Sequence, residues 1–270
     1  PTGDKGDTGS TGMTGDSFTG PTGPYNSLIQ EVTNEPMGHE VRTNSTISFD
    51  YTTRIFTISP VSTNYHVWVS GVLFNITSSL TVTIPNTSGL YYIYFARDGT
   101  LNYQTTYFIW DEQAPTAYIY YNSDHPDEVM LFDERHGITM DWATHEYLHR
   151  TVGAAIANGF GITYPTLELA NPSNTDLDIS LVPGTFFDED LQVDITDGSP
   201  GIWSTSLNPV LLPILYLDLS KLWRKSTSQN IPLLNSGTNT RPYYNDINSL
   251  TQPLATCPNN DFVNMWIAAT

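Results

Sequence analysis

The sequence LYYIYFARDGTLNYQTTYFIWDEQAPTAYIYY at residues 90–121 contains short runs of aromatic and β-branched residues separated by turn residues. Such runs favour β-strands, and the Asp-Gly pair favours a tight turn between two of them. Similar runs, about eight to twelve residues apart, extend back to residue 46. The predicted strands are 46–51, 55–59, 66–69, 80–84, 90–96, 103–110 and 117–121. This pattern indicates a β-sandwich-like domain over residues 46–131.

The apolar spacing changes after this domain. In TMDWATHEYLHRTVGAAIAN, at residues 139–158, apolar residues recur at helical spacing and no proline interrupts them. We expect one α-helix over 139–158 within a loop-plus-helix segment at 132–159, with Thr139 or Asp141 as N-cap and Asn158-Gly159 as its end. The alternating segments LELANP, DLDISL and DLQVDI then predict a second β-rich domain at 160–270, which we expect to be incomplete at its C-terminus.

Glycine recurs with a period of three near the N-terminus. The period includes Gly3, Gly6, Gly9, Gly12 and Gly15, is interrupted at residues 16–19, and resumes at Gly20 and Gly23. Three polyproline-II chains wind together only when the residue at the crowded axis has no side chain, so the period predicts a collagen-like stalk at 1–25. A linker or collar at 26–45 follows it. The triplets are few and poor in proline, so we expect the downstream domains to hold a parallel homotrimer together.

The composition excludes several functions. With 28 acidic and 10 basic residues, the formal net charge of −18 leaves no basic surface for nucleic acid. Cys257 is the only cysteine, so no intrachain disulfide forms. The most apolar run, VLLPILYLDL at residues 210–219, is too short to cross a bilayer, and we predict no membrane insertion.

The most specific chemical motif is HEYLH, at residues 145–149. It matches the H-E-x-x-H pattern of zinc metalloproteases, in which two histidines on one helix face bind zinc and the glutamate activates water. We find no third ligand downstream, so three interpretations stay open. His145 and His149 are ligands of a zinc hydrolase, or they form a ring at the trimer axis that hydrogen-bonds or holds a metal, or they pack against Asp141, Glu146 or backbone carbonyls.

Packing is the interpretation that we favour, and we expect His136 to lie near His145 and His149. We therefore assign no catalytic residue and no cofactor, and keep His145 and His149 as candidate metal ligands. The acidic run Asp188-Glu189-Asp190 is typical of a solvated turn rather than of a glycosidase site. The many aromatic side chains leave glycan binding open.

Three segments together carry a resemblance to a known family. EVTNEP at 31–36 and DERHGITMDWATH at 133–145, together with the glycine triplets, resemble the collagen-repeat fibre and virion structural proteins of tailed bacteriophages. The resemblance covers most of the chain and is most specific over 132–155. It implies a trimeric appendage on a virus particle, and it names no catalytic residue. A looser similarity is to bacterial spore-surface filaments, whose pattern lacks the helix motif.

We therefore predict a mainly β, non-enzymatic fibre or adaptor protein of a phage virion, carried on the head or the tail. Its expected partners are two further copies of itself, other virion structural proteins, and a glycan or receptor on the host surface. The alternatives are the zinc hydrolase, a glycan-binding adhesin or depolymerase, and the spore-surface filament. We expect the chain to be a piece of a longer polypeptide.

Overall fold

The computed structural model describes residues 36–138, 140–163, 179–189, 191–196, 210–228, 233–234, 242–246, 254–258 and 261. In these residues most of the regular structure is β, which confirms the predicted mainly β class. The predicted stalk, with its glycines from Gly3 to Gly23, lies outside the described residues. No helix in the described ranges is long and apolar enough to cross a membrane.

Residues 36–138 form an N-terminal β-domain of three antiparallel sheets. Their strand orders are β11-β1-β4-β5, β10-β9-β7-β8 and β2-β3-β6. Short 3₁₀ turns at Arg42–Asn44 and Pro126–Glu128 connect some of the strands. The strands are β1 (Met37–His39), β2 (Ser45–Asp50), β3 (Ile55–Pro60), β4 (Tyr65–Val69), β5 (Val72–Ile76), β6 (Leu80–Thr83), β7 (Gly89–Phe95), β8 (Leu101–Gln104), β9 (Ala114–Tyr121), β10 (Met130–Asp133) and β11 (Gly137–Ile138).

One hydrophobic core lies between these sheets. Successive side chains of a strand point to opposite faces, so buried and less buried residues alternate along β4, most of β7 and the second half of β9, whereas Ala114–Ala117 of β9 are all buried. The core residues of these three strands are Tyr65, Val67, Val69, Tyr91, Ile93, Phe95, Ala114, Ala117, Ile119 and Tyr121. Phe56 and Ile58 of β3 pack into the same core. The alternation seen in the sequence therefore reports burial directly.

The N-terminal β-domain differs from the prediction in several places, since β5, β10 and β11 were not predicted as strands. The predicted strand 103–110 is wrong beyond Gln104, because an amide side chain bonds the following backbone: Gln113 Oε1 accepts from Ile109 N at 2.8 Å. The predicted linker 26–45 contains β1, which pairs with both β4 and β11. A three-residue strand with all its residues buried has no alternation by which a sequence pattern could identify it.

Arg135 fixes the segment that follows β10. Its buried guanidinium donates to Ser45 Oγ at 2.7 Å and to Asp133 Oδ2 at 2.6 Å. Asp133 Oδ2 also accepts from Arg42 Nη2 at 2.7 Å. Burial acts to raise the pKa of Asp133, but the two guanidinium groups outweigh it and hold that pKa below its usual value. A charged Asp133 therefore ties the end of β10 to the start of β2.

The single helix of the described residues, α1 (Trp142–Thr151), is shorter than predicted. Asp141 is its N-cap, as the sequence suggested, and accepts from Thr144 N at 2.9 Å. The predicted end at Asn158-Gly159 is wrong. Gly153 has φ +56, and its N–H donates to Leu148 O at 3.0 Å, which ends the helix. Ala154–Asn158 form a strand instead.

A second β-rich region follows α1. It has one three-stranded sheet, β12-β15-β16, and the pairs β13-β14, β17-β18 and β19-β20. Ile179 and Val210 form a small core of their own. Arg224 is ion-paired with Glu128 and so ties this region to the N-terminal β-domain. The strands are β12 (Ala154–Asn158), β13 (Ile162–Thr163), β14 (Ser180–Leu181), β15 (Gly184–Asp188), β16 (Leu191–Ile195), β17 (Leu215–Leu217), β18 (Trp223–Lys225), β19 (Tyr243–Asn245) and β20 (Leu254–Thr256).

Gly38 offers a test of how β1 holds the backbone at His136 in place. Gly38 has φ +92, and a Cβ there would collide with the carbonyl oxygen of His136. We expect Gly38→Ala to lower the free energy of unfolding by about 2 to 4 kcal/mol, because it adds left-handed strain to a steric overlap. Gly89→Ala is the matched control, since a Cβ at Gly89 meets nothing within 4 Å. Equal midpoints for the two variants in urea, at one protein concentration, would contradict this account.

A buried histidine cluster

Three imidazoles meet where α1 lies against the N-terminal β-domain. His145 and His149 are on α1, and His136 lies between β10 and β11. The ring centroids of His136 and His145 are 5.3 Å apart, and those of His145 and His149 are 5.0 Å apart. One ligand atom from each of the three residues lies within 4.8 Å of the others. We refer to His136, His145 and His149 as the histidine cluster.

Local structure on both sides brings the histidine cluster together. Residues four apart on a helix share a face, so the Asp141 cap that starts α1 also sets the direction of both helical imidazoles. On the other side, Arg135 anchors the backbone next to His136, and His39 N donates to His136 O at 2.9 Å. The backbone of His136 is therefore held from both sides, and its ring Nδ1 lies 3.4 Å from Gly137 O.

The cluster is enclosed. His145 is 0% exposed, and Trp110 packs against the rings of His145 and His149 with centroids 4.7 and 4.8 Å away. The side chain of His149 is 13% exposed. Because His145 is fully buried within one chain, it cannot contact its own copies in an oligomer. The predicted ring at a trimer axis is therefore wrong for His145.

Two carboxylates flank His149 on opposite sides. Its Nε2 is 3.3 Å from Glu134 Oε1, and its Nδ1 is 3.3 Å from Glu189 Oε1. Glu189 Oε2 is also 3.9 Å from His145 Nε2. A ligand atom of Asp188 lies within 4.8 Å of ligand atoms of both His149 and Glu189. The histidine cluster therefore has carboxyl groups beside it from two distant segments of the chain.

Glu189 reaches the cluster from the turn between β15 and β16. Its side chain is 0% exposed, and its backbone has φ +47, a left-handed conformation that is uncommon for a residue other than glycine. The predicted solvated turn at 188–190 is therefore wrong for Glu189, whereas Asp190 lies outside the described residues. The signal in the sequence was weak, because three adjacent acids rarely include a buried one.

The pKa values of Glu189 and His149 are both raised. Burial raises the pKa of Glu189 to about 8, although the nearby His149 acts in the opposite direction. Burial acts to lower the pKa of His149, but the hydrogen bond and charge of Glu134 and the charge of Glu189 outweigh it and raise that pKa.

The two residues that the sequence suggested as histidine partners have other roles. Asp141 caps α1, and Glu146 pairs with Arg150 Nη2 at 2.7 Å along the helix surface. In a zinc hydrolase with this motif the glutamate activates the metal-bound water. Here the carboxylate beside His145 and His149 is Glu189 rather than Glu146. The cluster can bind a metal ion or share protons, but Glu146 does not take the position that the hydrolase mechanism requires.

No protein-family model matches the chain, and comparisons with curated proteins and with solved structures returned no significant match.

The N-cap of α1 provides a test of how the helical imidazoles are positioned. We expect Asp141→Ala to speed hydrogen exchange of the α1 amides about fivefold, because losing an N-cap costs about 1 kcal/mol. Asp141→Asn is the matched control, since asparagine caps equally well, and its exchange should stay within a factor of two of wild type. Equal protection in the Ala and Asn variants would show that tertiary packing alone sets the start of α1.

Proposed function

We propose that this chain is a trimeric structural protein of a tailed-phage virion, a fibre or adaptor rather than an enzyme. The observation that carries the proposal is the glycine period at residues 3–23, because a triple helix needs three chains in parallel. The stalk serves as a spacer in this proposal. The β-rich parts hold the trimer together and contact other virion proteins or the host surface.

An exposed apolar surface supports a second copy as the neighbour of this chain. All five residues of β12 are exposed, including Ile156 at 71%. Tyr147 and Val152, on or just after α1, are also exposed. Within the described residues β12 pairs only with β15, so one edge of this sheet is open. Exposed apolar edge strands are templates for association, and the glycine period favours the same chain as the partner.

The trimer is tested by the mass of the chain in solution. We expect light scattering at micromolar concentration to report three times the chain mass of 30.0 kDa. Ile156→Glu should raise the dissociation constant at least about tenfold, because it buries an unpaired charge in the interface. Val61→Glu, at an exposed apolar residue of the N-terminal β-domain, is the matched control and should leave the mass unchanged.

A monomeric wild-type chain at these concentrations would refute the trimer. Replacing Gly9 and Gly12 by alanine tests the stalk separately, because it should remove the triple-helical ellipticity while the β-rich parts stay folded.

One observation favours host-glycan binding as a second candidate function. A groove of about 900 Å³ lies next to β17 and β19. Its lining includes two aromatic rings, on which a sugar can stack, and charged groups that can bond its hydroxyls. These residues are Tyr216, Tyr243, Asp124, Asp218 and Arg224.

Binding of immobilised glycans is the measurement for this second function. We expect Tyr243→Ala to lose at least about fivefold in affinity for any glycan that the wild type binds, since stacking on an aromatic ring contributes about 1 kcal/mol or more. Tyr51→Ala, an exposed tyrosine outside the groove, should bind as wild type does. If the wild type bound no member of a broad glycan set, glycan binding would be refuted and only the structural role would remain.

A further inference from the structure

We propose that the histidine cluster binds one divalent transition-metal ion of the zinc type, with Glu189 as its anionic partner. The ion then fastens three separate parts of the chain together. His136 belongs to the N-terminal β-domain, His145 and His149 to α1, and Glu189 to the turn between β15 and β16. This inference does not depend on the trimer, since every proposed ligand comes from one chain.

The spacing of the three imidazoles is close to that of a metal site. Zinc–nitrogen bonds of about 2.0 to 2.1 Å in a tetrahedron place the ligand atoms about 3.3 Å apart. One ligand atom of each histidine lies within 4.8 Å of the others. Side-chain rotations that move these atoms by about 1 Å would bring them to the spacing of a tetrahedral zinc site. Imidazoles favour zinc and neighbouring metals, whereas Mg²⁺ and Ca²⁺ prefer oxygen ligands.

Glu189 supplies an independent observation. Its side chain is 0% exposed, and the imidazoles of His149 and His145 lie 3.3 and 3.9 Å from its two oxygens. Burying a carboxylate is expensive, and the left-handed backbone at this residue adds to the cost. A divalent cation beside His145 and His149 would offset this cost. A hydrophobic packing site for the imidazoles would need no carboxylate in this position.

The surroundings of His149 match a metal ligand. A ligating histidine uses one ring nitrogen for the metal and donates from the other, usually to a carboxylate. Here Glu134 faces Nε2 and Glu189 faces Nδ1, each at 3.3 Å. With Nδ1 facing the ion and Glu189, Glu134 would hold the ring through Nε2.

The burial of the cluster points to a structural ion rather than a catalytic one. Catalytic zinc keeps an open coordination position for water or substrate, whereas structural zinc is enclosed. His145 is 0% exposed, and Trp110 covers both helical imidazoles. Glu146, the residue that would activate water in a hydrolase, pairs with Arg150 instead. The HEYLH motif therefore provides two ligands of a structural metal ion, which clamps α1 to the N-terminal β-domain.

The experiment uses the full chain, stripped of metal by chelator and then titrated with Zn²⁺. We expect one ion per chain by elemental analysis, and a higher midpoint of thermal unfolding with Zn²⁺ than with chelator. Co²⁺ in place of zinc should give the intense visible absorption of a tetrahedral site. His136→Asn and His145→Asn should each weaken binding at least a hundredfold. His66→Asn, at a more exposed histidine paired with Glu40, is the matched control and should bind one ion with wild-type affinity.

Glu189→Gln keeps the proposal testable if a histidine variant fails to fold. It preserves the shape of the side chain, so folding checked by circular dichroism should be retained while zinc binds at least tenfold more weakly. Less than one zinc per two chains in the wild type would overturn the proposal. Equal binding by the His66, His136 and Glu189 variants would also overturn it, because the bound zinc would then lie elsewhere. Light scattering of the metal-free and the zinc-loaded chain measures the mass in both states. It therefore shows whether the chain is a trimer independently of whether it binds zinc.

Discussion

The buried guanidinium of Arg135 connects the N-terminal β-domain to the histidine cluster. It bonds Ser45 on β2 and Asp133 at the end of β10, and so satisfies a charge that would otherwise be costly to bury. The next residue is His136, whose carbonyl is held by β1. A planar group with five donors can make these contacts at once, which a lysine cannot. The position of one imidazole thus depends on an ion pair in the wall of the β-domain.

The helical part of the histidine cluster and β12 are neighbours in sequence, but the first is buried and the second is exposed. His145 and Glu189 are enclosed by Trp110, α1 and the β15–β16 turn, whereas β12 presents Ile156 to solvent. We interpret the first as a site within one chain and the second as a contact between chains. A clamp that joins α1 to the N-terminal β-domain would also hold β12 in a fixed direction, because Gly153 alone separates the C-cap Val152 from Ala154.

The sequence predicted the interior strands well and the helix only in part. The strands β3, β4 and β7 were predicted within one residue of their observed bounds, since alternation follows from burial of one face. The helix was predicted to continue through Ala154–Asn158, because alanine and isoleucine at this spacing also fit an amphipathic helix. The hydrogen bonds to β15 that make this segment a strand come from about thirty residues away. A local pattern carries no information about them.

For the candidate site the sequence identified two histidines by their spacing on a helix, and it placed His136 near them. It assigned the wrong carboxylates, because Asp141 and Glu146 are close in sequence whereas Glu134 and Glu189 are close only in space. The mainly β class, the cap of α1 and the glycine period depend on interactions within a few residues or on a strict repeat, so they can be inferred from the chain alone. The end of α1, the burial of Glu189 and the enclosure of His145 depend on contacts between distant segments, and only the folded chain brings these together.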